Sequence, residues 1–351
     1  MRRRSIDIMA RRITIVDVAK RAEVSISSVS SALNGRGEVS ESTRQRILAV
    51  ADELGWVPSL RGRSLSGKRT FAVGLVVQRQ PEVLSSDPFF ASFISGVEAV
   101  LEPRGYALVL QMAPDAVAST ERYRLLAAEH RVDGVFLDEI RVDDPRIPLL
   151  EQLGIPTVAI NSDEAGAPFP SVRQDYRPGI EAAVRHLIEL GHRRIAHVSG
   201  GAEFIHSRQR LGVWRETLAA EGLEPGPVFE GDFTLGSGIA AADALLRDRK
   251  AVTAVVCAND LMAIGFLARA DDLGFSVPRD VSVTGYDGND MGAFLRPSLT
   301  TVMTSPSAIG KAAAGMLLDI IDGKTVEDIA IQPAELLVRQ STARPASLGI
   351  A

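Results

Sequence analysis

From residue 71 onward the chain alternates short apolar runs with longer helical patterns, and this alternation constrains the fold more than any other feature. The runs fall at residues 71–77, 107–111, 132–137, 157–160, 171–174, 195–199, 254–257 and 281–286. Helical periodicity covers residues 91–104, 179–190, 208–222, 237–247 and 260–273 between them. Strands apolar on both faces need cover on both faces, which parallel sheets flanked by helices supply. About ten strand–helix units are too many for one sheet, so two α/β lobes are expected. Ligands of such folds bind beyond the carboxyl ends of the strands, here between the lobes.

Ahead of this body the texture differs. Residues 14–34, TIVDVAKRAEVSISSVSSALN, read as two short helices broken by a tight turn. Thr14 with Asp17 is an N-cap pattern, and Ile15, Val18, Ala19 and Ala22 follow at helical spacing. Ser25 starts a second helix that buries Val29, Ala32 and Leu33 and turns Ile26, Ser27, Ser28 and Ser31 outward. A third helix is predicted over 41–54, capped by Ser40 and stopped by Gly55. A helix showing small polar groups, held across another by a short turn, suits the DNA major groove. On this stretch alone an ordinary helical hairpin with solvated serines remains the alternative. Residues 56–69, WVPSLRGRSLSGKR, are too poor in apolar side chains to fold alone and read as a linker.

Charge separates the same two parts. The net charge of −5 splits into +7 over residues 1–69 and −12 over the rest, which confines any DNA binding to one end. The expected boundaries are a basic arm and headpiece at 1–57, a hinge at 58–70, and an effector-binding and dimerisation domain at 71–345. Within the last, the first lobe takes about 71–173 and 303–325, and the second about 174–302 and 326–342. Met1 or Met9 can each be the initiator. A single cysteine, Cys257, excludes an internal disulfide framework and fits a reducing compartment. The basic N-terminus leads into no apolar signal region, and no run is long enough to span a membrane, so a cytoplasmic protein is expected. The five histidines have no metal spacing, and no HExxH, CxxC, GxSxG or phosphate-cradling loop occurs. No enzyme activity, metal or cofactor is therefore expected.

Motifs along nearly the whole chain resemble the LacI/GalR family of bacterial transcription repressors. In order they are TIVDVAKRAEVSISSVSSALNG (14–35), DPFF (87–90), HLIELGHRRIAHVSG (186–200), RLGVW (210–214), VCANDLMAIG (256–265), VPRDVSVTGYD (277–287) and PSLTTV (297–302). The resemblance implies a helix-turn-helix headpiece hinged to a two-lobed domain like that of periplasmic binding proteins. It implies DNA contacts from Thr14, Ser25, Ile26, Ser27, Ser28, Ser31 and Asn34, with Leu65 wedged into the minor groove from a hinge helix introduced by Pro58. Ser31 stands where the family commonly carries arginine. The implied effector residues are Asp87, Phe89, Asn161, Arg210, Phe233, Asn259 and Asp287, several of them at strand carboxyl ends. Asn259 and Asp287 can also be read as helix N-caps, and Phe233 as hinge packing. The expected partners are a pseudo-palindromic double-stranded operator, a second copy of the chain and a small effector. The effector is a sugar or oligosaccharide, with a nucleobase co-repressor as the alternative. The protein would associate with the nucleoid when on its operator. An extracytoplasmic sugar-binding protein shares the two-lobed fold but would need a signal peptide and no headpiece.

Overall fold

The computed structural model describes residues 13–33, 39–56, 69–79, 87–162, 167–248 and 252–346. It divides into two compact units, Met1–Phe71 and Ala72–Ala351.

The first unit holds α1 (Ile15–Arg21), α2 (Ile26–Leu33) and α3 (Glu41–Glu53). At the start of α1 the Asp17 carboxylate accepts from the Thr14 backbone N–H at 2.9 Å and from the Thr14 hydroxyl at 2.7 Å. The Ser25 hydroxyl caps α2 by accepting from the Ser28 N–H at 3.0 Å, as its sequence position predicts. Gly55 takes a left-handed φ of 59°, which lets the Trp56 N–H return to the Ala51 carbonyl at 2.8 Å and ends α3. Val18, Ala19, Ala22, Val29, Ala32, Ile47 and Ala51 form the buried core, with Ile15, Val24 and Trp56 packed at its edge. Most of these side chains are small, so three short helices can approach closely around them.

The second unit begins with β1 (Ala72–Val77), α4 (Pro88–Leu101), β2 (Ala107–Met112), α5 (Ala116–Ala128), β3 (Gly134–Leu137), α6 (Arg146–Leu153), β4 (Thr157–Ile160) and β5 (Ser171–Gln174). There follow α7 (Arg177–Glu189), β6 (Ile195–Ser199), α8 (Ile205–Ala220), β7 (Val228–Glu230), α9 (Leu235–Leu245) and β8 (Ala254–Cys257). The chain ends through α10 (Asp260–Asp272), β9 (Ser282–Asp287), β10 (Thr300–Met303), α11 (Pro306–Ile321), β11 (Ile329–Ile331) and β12 (Glu335–Leu337). One sheet has the order β11-β5-β4-β3-β1-β2, with every neighbouring pair parallel. The other runs β12-β10-β9-β8-β6-β7, parallel except for the β10–β12 pair. Strand order reverses at β1 in the first sheet and at β6 in the second, opening a crevice at the carboxyl ends of each. In the first lobe α4 and α11 lie backbone to backbone. A Cβ on Gly96 would overlap the Ser307 carbonyl, and one on Gly310 would overlap that of Phe93.

One boundary differs from the sequence reading, which placed residues 326–342 in the second lobe. Ile329–Ile331 instead extends the first sheet beside β5, in register with Val172–Gln174. The chain therefore makes its last crossing between residues 331 and 335. A three-residue edge strand, Ile-Ala-Ile and largely exposed, is too short to show a period that reveals its side.

Three crossings thus join the lobes, after β5, after β10 and after β11. The Gln174 side chain ties all three: its Oε1 accepts from the Ser305 N–H at 3.0 Å, and its Nε2 donates to the Gln332 carbonyl at 2.8 Å. Its own backbone N–H is held by Asn161 Oδ1 at 3.1 Å. Gln174 is only 8% exposed. Replacing it by leucine leaves one N–H and one C=O without partners, each costing about 1–3 kcal/mol. Equilibrium denaturation of Gln174→Leu should show a loss of about 2–4 kcal/mol, and an unchanged midpoint and slope would refute the role.

Candidate functional site

Between the lobes lies a cavity of about 470 Å³, a size suited to a small organic molecule. All seven residues expected at the effector site lie on its lining. Their side chains are not equally free.

Asp87 caps α4, accepting from the Phe89 N–H at 3.0 Å, and burial raises its carboxyl above the ordinary range. Phe89 stacks on Phe93 with ring centroids 6.3 Å apart, one face of an apolar wall. Asn161 ends β4 with a left-handed φ of 52°, a conformation asparagine tolerates. Its amide oxygen is committed to Gln174, so the amide NH₂ is what it has left to offer a ligand. Arg210 sits in the second turn of α8 rather than at its start. It donates through Nη1 to the Ala258 carbonyl at 2.7 Å, with its guanidinium 3.8 Å from the centroid of the Tyr286 ring.

Phe233 is held at a left-handed φ of 69° in the turn before α9. Its ring lies over Gly200, where any Cβ would overlap it, so the glycine ending the HVSG motif makes room for this wall. Asn259 is 2% exposed, and both ends of its amide are spent. Oδ1 caps α10 by accepting from the Met262 N–H at 2.9 Å, and Nδ2 donates to the Phe233 carbonyl at 2.9 Å. Asn259 is thus an N-cap that positions Phe233. Asp287 is not a cap, since Asn289 caps the following turn. Its backbone carbonyl accepts from the Thr304 hydroxyl at 3.0 Å, and burial pushes its carboxyl well above the ordinary range.

Sequence reasoning missed Arg79, Asp138, Glu139 and His206, which also line the cavity. A signal existed for three of them: Asp138 and Glu139 directly follow β3, and Arg79 lies two residues past β1, at the ends where this fold gathers its site. The turn after β3 is built by the buried Arg146, 1% exposed. Its Nη2 donates to the Asp138 carbonyl at 3.0 Å and the Glu139 carbonyl at 2.9 Å, while Asp144 neutralises it at 2.6 Å. Glu139 is held at φ 48° and forms an ion pair with Arg79, whose Nε donates to Glu139 Oε1 at 2.7 Å. Burial pushes Asp138 up to about 6 and Glu139 up to about 7. His206 is driven well below its usual value by burial and so faces the cavity as a neutral imidazole. Its ring centroid is 5.3 Å from that of Phe233.

Direct contacts also join the lobes at this cavity. The Arg79 guanidinium, from the first lobe, stands 4.5 Å from the Phe204 centroid and 4.8 Å from the Phe233 centroid of the second. Arg141 and Phe204 form an antiparallel bridge, with the Ile205 N–H on the Ile140 carbonyl at 3.1 Å and Val142 N–H on the Glu203 carbonyl at 2.9 Å.

On the headpiece, Ile26 and Ser27 are exposed on the first turn of α2, while Ser28 and Ser31 are half-buried. The Ser25 hydroxyl is linked to those of Ser27 at 2.7 Å and Ser28 at 2.8 Å. The outward face therefore presents one apolar group beside linked hydroxyls at the helix N-terminus, the end that approaches base edges in helix-turn-helix proteins. Thr14 is exposed, its hydroxyl on Asp17. Asn34 and Leu65 lie outside the described residues.

A helix-turn-helix unit and a two-lobed binding domain with a cavity between its lobes, on one chain, define a DNA-binding transcriptional regulator. Residues 14–59 match bacterial regulatory proteins of the lacI family, and residues 184–342 match the periplasmic binding protein-like domain. The chain is 36% identical over 337 residues to the HTH-type transcriptional regulator CelR of Thermobifida fusca, covering 94% of this chain and 98% of that one. It is 36% identical over 332 residues to the HTH-type transcriptional repressor PurR of Salmonella arizonae, covering 93% and 96%. A solved CelR–cellobiose complex superposes with a TM-score of 0.71 at 35% identity, covering 94% of this chain and all of that one. The lac repressor dimer bound to operator and the anti-inducer ONPF gives 0.83 at 26%, covering 95% and all of that chain. The chain belongs to the lacI family of bacterial regulatory proteins. No helix among the described residues is long and apolar enough to cross a membrane.

The raised Asp138 carboxyl has a stability consequence. The folded chain holds this proton up to about pH 6, whereas the unfolded chain releases it near its ordinary 3.8. Stability therefore falls as pH rises through that window. Asp138→Asn keeps an acceptor for the Glu139 N–H, given by Asp138 Oδ1 at 2.7 Å, and removes the buried charge. Its stability advantage over the parent should grow by on the order of 1–2 kcal/mol between pH 4.5 and pH 8. A pH-independent difference in denaturant titrations would rule this out.

Proposed function

We propose that this regulator is a homodimeric repressor whose affinity for a pseudo-palindromic operator is set by a carbohydrate bound between the lobes. The observation that carries the reading is the cavity itself, where carboxylates, amides and a guanidinium converge at the strand ends between the faces of Phe89 and Phe233. Sugars offer hydroxyl donors and acceptors on a ring with apolar faces, which such a lining complements. The similarity to CelR, whose complex holds cellobiose, supports the same class. The protein acts in the bacterial cytoplasm and binds its effector without turning it over. Its headpieces read half-sites with the exposed face of α2. Thr14, Ser25, Ile26, Ser27, Ser28, Ser31, Asn34 and Leu65 are the proposed DNA-contacting set, and Asp87, Phe89, Asn161, Arg210, Phe233 and Asp287 the proposed effector-contacting set, with Asn259 behind them holding Phe233 in place. Ser31 brings one short hydroxyl where arginine brings a fork of donors, so base recognition shifts toward Ile26 packing on thymine methyl groups.

Binding-site selection on the full chain should return a palindrome, and titration of that DNA with disaccharides and, in parallel, purines should change affinity at least tenfold with a sugar. Ser31→Arg should change the preferred half-site. A response to purines alone, or an unchanged half-site, would sink the respective part.

Dimer formation has its own support. Met291 and Phe294, in the turn after β9, are 66% and 81% exposed, two neighbouring large apolar side chains that a second copy would cover. The lac repressor neighbour is a dimer. Phe294→Glu should shift sedimentation toward monomer at micromolar concentration and weaken operator binding with it. A variant that sediments like the parent would remove this face from the interface.

A further inference from the structure

We infer that Asp138 and Glu139 are the specificity-determining acceptor pair of the cavity, reading hydroxyl groups of a neutral carbohydrate and rejecting its phosphorylated form. This deepens, and rests on, the carbohydrate reading above. In each carboxylate one oxygen is committed: Asp138 Oδ1 to the Glu139 N–H, and Glu139 Oε1 to Arg79. The other oxygens, Asp138 Oδ2 and Glu139 Oε2, are buried without a hydrogen-bond partner among the described residues. Both residues line the cavity.

A buried acceptor with no donor is costly, and a ligand hydroxyl relieves the cost. Two adjacent unsatisfied acceptors, held on a turn pinned by Arg146, therefore ask for two donors from whatever enters. Sites built to hydrogen-bond a hydroxyl also reject analogues that lack it, because the site's own group is then left unpaired. A phosphate would bring further negative charge against these oxygens. The guanidiniums of the lining already face carboxyls or other groups of the cavity wall. Arg79 pairs with Glu139 and lies over Phe204 and Phe233, and Arg210, bonded through Nη1 to the Ala258 carbonyl over Tyr286, already sets its charge against the Asp87 and Asp287 carboxyls, which it draws downward. Arg173, the remaining guanidinium on the lining, has a partner of its own. A dianion would have to sit beside these two carboxylates, whereas a hydroxyl supplies the missing hydrogens without adding charge.

Isothermal titration of the full chain tests this with cellobiose, maltose, sucrose and trehalose, each beside its 6-phosphate. The expected result is that a neutral disaccharide binds and that its phosphate binds at least a hundredfold more weakly. Asp138→Asn and Glu139→Gln should each weaken the neutral sugar at least tenfold, while Asp138→Asn melts no lower than the parent without sugar. Equal or tighter binding of the phosphate, or parent-like affinity in both variants, would overturn the assignment and leave the carbohydrate reading standing. If none of these sugars binds in either form, the carbohydrate reading fails and this inference with it. Should either variant fold poorly, the comparison of sugar with sugar phosphate on the parent chain still decides.

Discussion

The amide of Gln174 is the point on which the two-lobed body turns. Three separate chain crossings must stay in step for the lobes to move as units, and this one side chain satisfies a backbone donor in the second and a backbone acceptor in the third. Its own N–H is taken by Asn161, which ends β4 on the cavity lining. The hinge and the site are therefore one hydrogen-bonded chain, running from a lining residue through Gln174 to all three crossings. Asp287 continues it on the other wall, because its carbonyl holds the Thr304 hydroxyl just before the second crossing enters α11.

Against this ordered hinge, the cavity stores unfavourable terms. Asp87, Asp138, Glu139 and Asp287 are all carboxyls that burial drives toward protonation. Arg146 spends a buried guanidinium on holding the Asp138–Glu139 turn open to the cavity. A chain selected for stability alone would replace such groups with apolar ones, since buried ion pairs are often neutral or worse than well-packed hydrophobes. Their presence at the strand ends is what separates a binding cavity from a core.

The parts of this architecture that were legible in the sequence were those whose local signal agrees with their final environment. The runs at 157–160, 195–199 and 254–257 coincide with β4, β6 and β8, because central strands of parallel sheets are covered on both faces, and the run at 171–174 coincides with β5 although its sequence is largely polar. The Ser25 and Ser40 caps and the Gly55 stop were equally readable, being local hydrogen-bond chemistry. β7, β11 and β12 were not, since three-residue edge strands inherit their register from a neighbour rather than from their own pattern. At the site, the resemblance carried seven residues to one cavity but could not tell a ligand group from a scaffold group. Asn259 looks the same in sequence whether its amide faces a sugar or caps α10. Asp138 and Glu139 went unread because their significance lies in oxygens left without donors, a property only three-dimensional packing creates.

Arg79 links the cavity wall of one lobe to the aromatic rings of the other. It belongs to the first lobe, pairs with Glu139 on the cavity wall, and stands over Phe204 and Phe233 of the second lobe. Cation–aromatic contacts of this kind gain strength away from water, so the contact depends on how fully the cavity excludes solvent. Any effector that reaches Glu139 therefore touches the group that bridges the lobes. Ligand binding can shift a conformational equilibrium only through such a difference in interaction between the two states. In this structure the Arg79 guanidinium is shared between a carboxylate on one lobe and two aromatic rings on the other, beside the backbone bridge between Arg141 and Phe204.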